Sequence, residues 1–319
     1  MLTSAFHTFG ATGIREDLTE LISMISPTDT PVYEAMGTVK ATNTLHEHQT
    51  DTLASAATNA ALEGDIFTNL VATRTPTDRL SNRTQIFTKG FTITDTQEIV
   101  NKAGRGKESA YQLMKAGKEI KNDFEYRIFD YDGSATGVAG NTTRARQMRT
   151  LHSWIADVTA CTGFSGVGGT LVTGLTRAGV LSASSTGATI AESTFNLIHQ
   201  NIWNQGGRPN AVYVGGSLGR LLAGWATSTS RVWDGSKKVT NAIQVYESMF
   251  GILEVKLERH CASSFGYLVD ESLWKKAVLK PIGVKSLASR GLGDDYLLWS
   301  EWTIEARNPS GNGMFISTA

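Results

Sequence analysis

Cysteine is scarce. Only Cys161 and Cys261 occur in 319 residues, and neither belongs to a C-x-x-C pair. This excludes a disulfide framework and a structural zinc site of ordinary spacing, and leaves two free thiols suited to a reducing compartment. Long hydrophobic runs are also missing. No stretch approaches the ~20 apolar residues that span a bilayer. Met1–Gly13 has no basic region followed by an apolar run, so no secretory signal is read there. The expectation is a soluble chain made in a cytoplasm. An excess of one charge is the third absence. Thirty Lys and Arg balance thirty Asp and Glu. A neutral total argues against a surface that grips nucleic acid or an anionic membrane as a whole. It also weakens the repulsion between copies, a first hint of self-association.

What is present is unevenly placed. Residues 1–100 hold 21 threonines, and residues 201–319 hold 5. Residues 1–100 carry 6 basic and 12 acidic side chains, net −6, whereas residues 101–150 carry 10 and 6, net +4. Arg15–Ile25 reads as a short helix with Leu18, Leu21, Ile22 and Ile25 on one face, ending at Ser26-Pro27. Residues 42–96 read as a long polar β-hairpin with extended runs at Asn43–Thr50 and Gln85–Thr94. In the second run the odd-numbered face is the more apolar. Such a hairpin buries little by itself and needs something to pack on.

The spacing predicts the clearest helix over 107–130. Ala110, Leu113, Gly117, Ile120, Phe124 and Ile128 recur at three- and four-residue steps, with Lys115, Lys118, Asn122 and Glu125 off the stripe. Further on, Ser193–Trp203 and Leu218–Trp225 read as helices. Ala211–Val214, Ile252–Glu258 and Phe265–Val269 read as strands, and Tyr296–Arg307 alternates as a long one.

Several motifs touch on chemistry. Gly215-Gly216-Ser217-Leu218-Gly219 matches G-x-S-x-G between a strand and a helix, the setting of a hydrolase nucleophile elbow, with Asp234 and His260 downstream. No glycine-rich oxyanion strip precedes it, and Ser217 reads more simply as a helix cap. His46-Glu47-His48 puts two histidines on one strand face without a third ligand cluster. Gly104-Arg105-Gly106-Lys107 lacks the glycine spacing and the Ser or Thr of a phosphate loop. The basic stretch 102–149 lacks the aromatic interleaving of a single-strand binder. No catalytic residue, metal site or cofactor is assigned.

Together the segments resemble the major capsid proteins of tailed bacteriophages. The resemblance rests on Arg15-Glu16-Asp17-Leu18 through Ile25-Ser26-Pro27-Thr28-Asp29-Thr30-Pro31, and on Leu45-His46-Glu47-His48-Gln49-Thr50 with Glu63-Gly64-Asp65. It continues in Asn82-Arg83-Thr84-Gln85-Ile86, Lys102-Ala103-Gly104-Arg105, Thr142-Thr143-Arg144-Ala145-Arg146, Trp203-Asn204-Gln205-Gly206-Gly207-Arg208-Pro209 and Glu305-Ala306-Arg307-Asn308. The family implies an α+β, Hong Kong 97-type fold. Residues 1–45 would be an N-terminal arm and 46–95 an extended loop lying across a neighbour. Residues 96–190 would be a peripheral domain with a spine helix at 107–130, 191–270 an axial domain, and 271–319 a return to the peripheral domain.

The implied function is the icosahedral head subunit that encloses the phage DNA, a structural protein and not an enzyme. Its partners would be copies of itself in hexameric and pentameric capsomers, a portal, a separate scaffolding or decoration protein, and packaged double-stranded DNA held without sequence preference. It would reside in the virion after assembly in the bacterial cytoplasm. Candidate inter-subunit contacts are Asp29, Pro31, Glu63, Gly64, Asp65, Arg74 and Arg83. Candidates for facing the interior DNA are Lys115, Lys118 and Lys121. No lysine lies between Lys40 and Lys89, so no lysine cross-link through the loop is expected. The alternatives are an α/β hydrolase using Ser217 and a DNA-binding or scaffold-like assembly protein.

Overall fold

The computed structural model describes residues 24–51, 53, 56, 58, 60, 63–64, 77–130, 137–156, 175–176, 180–181, 189–225, 245–289 and 291–317. The elements run α1 (Pro31–Ala35), β1 (Gly37–Lys40), β2 (Leu45–Thr50), β3 (Asp78–Arg83), β4 (Gln85–Thr94), α2 (Asp95–Ile99) and α3 (Glu108–Phe129). They continue with α4 (Leu151–Ala156), β5 (Leu175–Thr176), β6 (Val180–Leu181), α5 (Glu192–Asn204), β7 (Ala211–Val214) and α6 (Gly216–Trp225). The last are β8 (Val245–Ser248), β9 (Gly251–Leu257), β10 (Phe265–Val269), β11 (Trp274–Ser286), β12 (Gly293–Ala306) and β13 (Gly313–Ile316). The helix expected over Arg15–Ile25 lies outside the described residues except for Met24 and Ile25, which are exposed coil.

Helix α3 spans 22 residues. Its own cap residue, Lys107, makes no side-chain cap. Glu98 of α2 takes over that task. One carboxylate oxygen accepts the N–H groups of Glu108 and Ser109 at 3.1 and 3.2 Å, and the other accepts the Ser109 hydroxyl at 2.8 Å. A carboxylate at a helix N-terminus satisfies orphan donors and suits the positive end of the dipole. The stripe at Ile120, Phe124 and Ile128 is fully buried, but Ala110 is exposed and Leu113 only half-buried. The expected polar position Glu125 is fully buried. It is covered because α1 closes over that side of the helix, with the Val32 and Tyr33 N–H groups directed onto the carboxylate.

A four-stranded sheet in the order β1-β11-β12-β4 packs against α3. Tyr33, Phe87, Phe124 and Trp302 form its aromatic centre, with ring centroids 4.7 to 5.7 Å apart. Strand β4 behaves as its alternation predicts, with Phe87 and Ile93 buried on the odd face. The hairpin pairing differs from expectation. β2 pairs with β3, Leu45 opposite Arg83 through Thr50 opposite Asp78, whereas β4 pairs with β12. The cause is apolar content. Phe87 has a core to enter, while the β3 sequence Asp-Arg-Leu-Ser-Asn-Arg offers one large apolar side chain. In β11 the register to β12 shifts between Lys280 and Gly283, around Pro281, where a ladder donor is missing.

A seven-stranded sheet, in the order β5-β6-β13-β10-β7-β9-β8, forms the other half. β7 is buried along its whole length, as its continuous run Ala-Val-Tyr-Val implies for a strand covered on both faces. Helices α5 and α6 cover one face through Phe195, Ile198, Ile202, Leu218 and Leu222. The other face, through Tyr213, Tyr267 and Met314, joins the core of α3 and the first sheet. Residues 271–319 do not return together to the first sheet. β11 and β12 do, but β13 pairs with β10. Phe315 seats in the second core, and this pulls the chain end across. Gly207 permits the crossing at the foot of α5. A Cβ there would lie 2.4 Å from the Gly311 carbonyl oxygen.

Candidate functional site

Of the residues that the sequence offered for chemistry, His46 and His48 lie against the outer face of β12. Glu301, Thr303 and Glu305 alternate there as one polar face, and all three are buried. The β2–β3 ribbon covers them. The His46 imidazole meets Glu305 at 2.8 Å, and His48 Nε2 donates to the Ala306 carbonyl at 2.9 Å. The strand spacing that suggested a metal pair therefore seats the ribbon. Among the described residues no group of three His, Cys, Asp or Glu side chains is placed to hold a metal ion. Burial pulls the His48 pKa below its ordinary value, so the ring is neutral and the Nε2 proton is the donor. Burial pushes Glu305 up, but hydrogen bonds from Arg307 and His46 outweigh it, and its pKa ends below the ordinary carboxylate value.

Two more anchors complete the seat. The Thr84 hydroxyl donates to Glu301 at 2.6 Å, and the Arg146 guanidinium pairs with the same carboxylate. Asn82 is fully engaged. Its amide donates to the Ile304 carbonyl at 2.8 Å, and its oxygen accepts the Arg149 and Arg83 N–H groups, each at 2.8 Å. Arg149 lies over the Trp154 ring at 4.2 Å. Arg146 and Arg149 of the basic stretch are thus structural. Sequence reasoning missed the task of Asn82 and Glu98. The only signal was their place within short polar strings beside strand and helix ends.

The expected contact residues scatter. Asp29 pairs with Arg259 of the same chain at 3.4 Å, with both groups largely exposed. Pro31 opens α1. Glu63 and Gly64 form an exposed turn, with Gly64 at φ 85°. Arg83 is half-buried in β3, and Asp65 and Arg74 lie outside the described residues. Lys115 pairs with Glu119 at 3.8 Å, and Lys121 with Glu34 at 3.9 Å. Lys118 reaches the Met24 sulfur at 3.7 Å. Two of the three lysines proposed for DNA thus have acidic partners in their own chain.

Ser217 does fall in the first turn of a helix after a strand. His260, its supposed base, stacks edge-on against Tyr126. No hydrogen bond joins Ser217 to His260 among the described residues, and Asp234 lies outside them. The cysteine with described surroundings, Cys261, is buried, and burial pushes its thiol up to about 12. That is an inert packing residue, not a nucleophile.

The long helix across a four-stranded sheet, the polar ribbon seated on that sheet and the second α/β layer together form a Hong Kong 97-type capsid fold. The capsid of Cyanophage A-1(L) shares it at TM-score 0.66 and 9% identity, over 98% of this chain and 99% of that one. A gene-transfer-agent capsid chain shares it at TM-score 0.64 and 11% identity over the full length of both. The sequence model of the family described as SU10 major capsid protein matches residues 3–319, and the chain belongs to that family. It is also 23% identical to the major capsid protein of Escherichia phage Phieco32, covering 98% of this chain and 97% of that protein. It is a phage major capsid protein, the subunit that forms the capsid shell.

Proposed function

We propose that the chain assembles with copies of itself into hexameric and pentameric capsomers that close around double-stranded DNA, and that it performs no catalysis. The observation that carries this reading is the β2–β3 ribbon. Leu80 is its one large apolar side chain in the core, and the rest of its fastening to β12 is polar, through His46, His48, Thr84 and Asn82. A ribbon fastened at its base and carrying 27 further residues (51–77) between its strands is built to reach beyond its own subunit. The domain reading follows. The α3 module with its four-stranded sheet serves as the peripheral body, and the α5–α6 module as the axial one. Weak contacts repeated through a closed lattice then give a stable particle. A separate scaffolding or decoration protein and a portal complete the expected partners, and assembly takes place in the host cytoplasm.

Replacing residues 53–76 by a short flexible linker tests the reading. The prediction is a folded subunit with an unchanged melting profile that no longer closes into shells, seen by sedimentation and electron microscopy. Closed shells from that variant would refute the assignment. Ser217→Ala should leave assembly intact and alter no ester hydrolysis.

A further inference from the structure

His199 is buried in the α5–α6 module, and only one of its two ring nitrogens has a partner. It lies on α5 and is 1% exposed. Nδ1 meets the Ser248 hydroxyl oxygen at 2.8 Å, at the end of β8. Nε2 is buried, and no hydrogen-bond partner reaches it among the described residues. It faces the Gly251 backbone, where an added Cβ would stand 3.7 Å away. Ser248 also shapes the turn into β9. Its hydroxyl is placed to donate to the Gly251 carbonyl and to accept the Phe250 N–H, each at 3.2 Å.

That hydroxyl has one proton to give. Given to Gly251, it leaves the Ser248 oxygen to accept Nδ1–H, and Nε2 stays a bare acceptor. Given to Nδ1, it puts the ring proton on Nε2 as a buried donor without an acceptor, the rarer orphan in folded proteins. The neutral Nδ1–H ring is therefore the form that fits. A second proton must go to Nε2 and makes a charged donor in the same partnerless place.

The surrounding groups offer no relief. From β8, Tyr246 is bonded to Asn196 of α5 at 2.8 Å and to Glu192 at 3.2 Å, and Glu247 is exposed. From β9, Glu254 pairs with Lys256 at 3.3 Å. Helix α6 carries Arg220, which is exposed, and β13 carries no titratable side chain.

We propose that His199 and Ser248 form an acid-released latch, which holds the β8–β9 turn against α5 while the ring is neutral and lets it go when the ring takes a second proton. β8 is an edge strand and pairs with β9 alone among the described strands. The turn carries Met249, 98% exposed, and Phe250, whose ring lies 5.8 Å from that of His199 and 6.1 Å from that of Trp203. Release thus loosens an apolar tip at the edge of the sheet. Burial holds the His199 pKa below 6.5. A group whose folded pKa is depressed stabilises the fold fully above its unfolded pKa, and that contribution is lost as pH falls through the folded one. The latch is therefore closed above 6.5 and weakens below it. It does not rest on the shell reading.

The test is amide hydrogen exchange on the full chain, following the peptide over 245–252 from about pH 8 to about pH 5 and correcting for intrinsic rates. Protection should hold above 6.5 and then fall by up to about tenfold per pH unit, as one linked proton requires. His199→Gln cannot take the proton, so its profile should be flat. Constant protection in the wild type, or a His199→Gln slope equal to that of the wild type, would overturn the proposal. Should the variant fail to fold, nitrogen NMR of the wild-type ring decides. An Nδ1–H ring at neutral pH with a titration midpoint below 6.5 is expected, and an Nε2–H ring or a midpoint at or above 6.5 would also overturn the latch.

Discussion

The two faces of strand β12 are made from alternate residues of one sequence, and they are held in unlike ways. Toward α3 it presents Trp302 and Ile304 to an aromatic core. Toward the ribbon it presents Glu301 and Glu305 to histidine, threonine and arginine. Both faces are buried. The apolar face gains from area removed from water and is insensitive to small errors of register. The polar face gains little net energy per bond, but every bond fixes a position, and an unmatched group there costs its full desolvation. The first face makes the body stable. The second sets where the ribbon sits, which a shell subunit needs if its reach is to be repeated identically in every copy.

The largest effect should come from the apolar face. Phe124→Ala removes the ring in edge contact with Phe87 and Trp302. A loss of about 3–5 kcal/mol is expected in chemical denaturation of the capsomer-free subunit. A loss below about 1 kcal/mol would show that the aromatic centre is not where the stability lies.

The polar face should yield less and should depend on acid. Glu305→Gln removes the charge that meets His46 and Arg307, at a cost of about 1–3 kcal/mol near neutrality. Glu305 has a depressed pKa, so its contribution is present above 4.5 and lost as pH falls through the folded value. His48, also depressed, adds a loss that begins below 6.5. Ribbon amides of the wild type should therefore lose exchange protection on acidification in two stages, and Glu305→Gln should keep only the upper one. Equal loss of the core amides would erase the distinction between the faces.

The apolar half of this fold was legible because period carries it. Ile120, Phe124 and Ile128 at helical spacing and Phe87 and Ile93 at strand spacing entered the core as read. Polar positions carry no such signal. Glu125 has the sequence neighbourhood of a solvated helix face, and only α1, brought over it from 93 residues away, makes it interior. His46 and His48 were correctly placed on one face, but their partner lies 259 residues on and cannot be inferred from spacing. The exchange of β3 for β4 in the hairpin has the same origin. Extended propensity marks both strands, and tertiary burial decides which of them pairs with the core. The contact residues read from the resemblance share this limit, since the sequence offers no second copy to place them against.

The smallest effect should lie within the ribbon itself. Arg79 and Glu47 sit 3.5 Å apart across β2 and β3, with 66% and 37% of their side chains exposed. An exposed cross-strand ion pair contributes about 0.2–1 kcal/mol and fades with salt. Arg79→Ala should thus lower ribbon protection by less than about fivefold at low salt and leave it unchanged at high salt. The two variants rank the ribbon's supports directly. If Arg79→Ala loosened the ribbon as much as Glu305→Gln, the strands would be held chiefly by each other. The ribbon would then be an independent hairpin resting on β12, and its polar seat would no longer explain a fixed direction of reach.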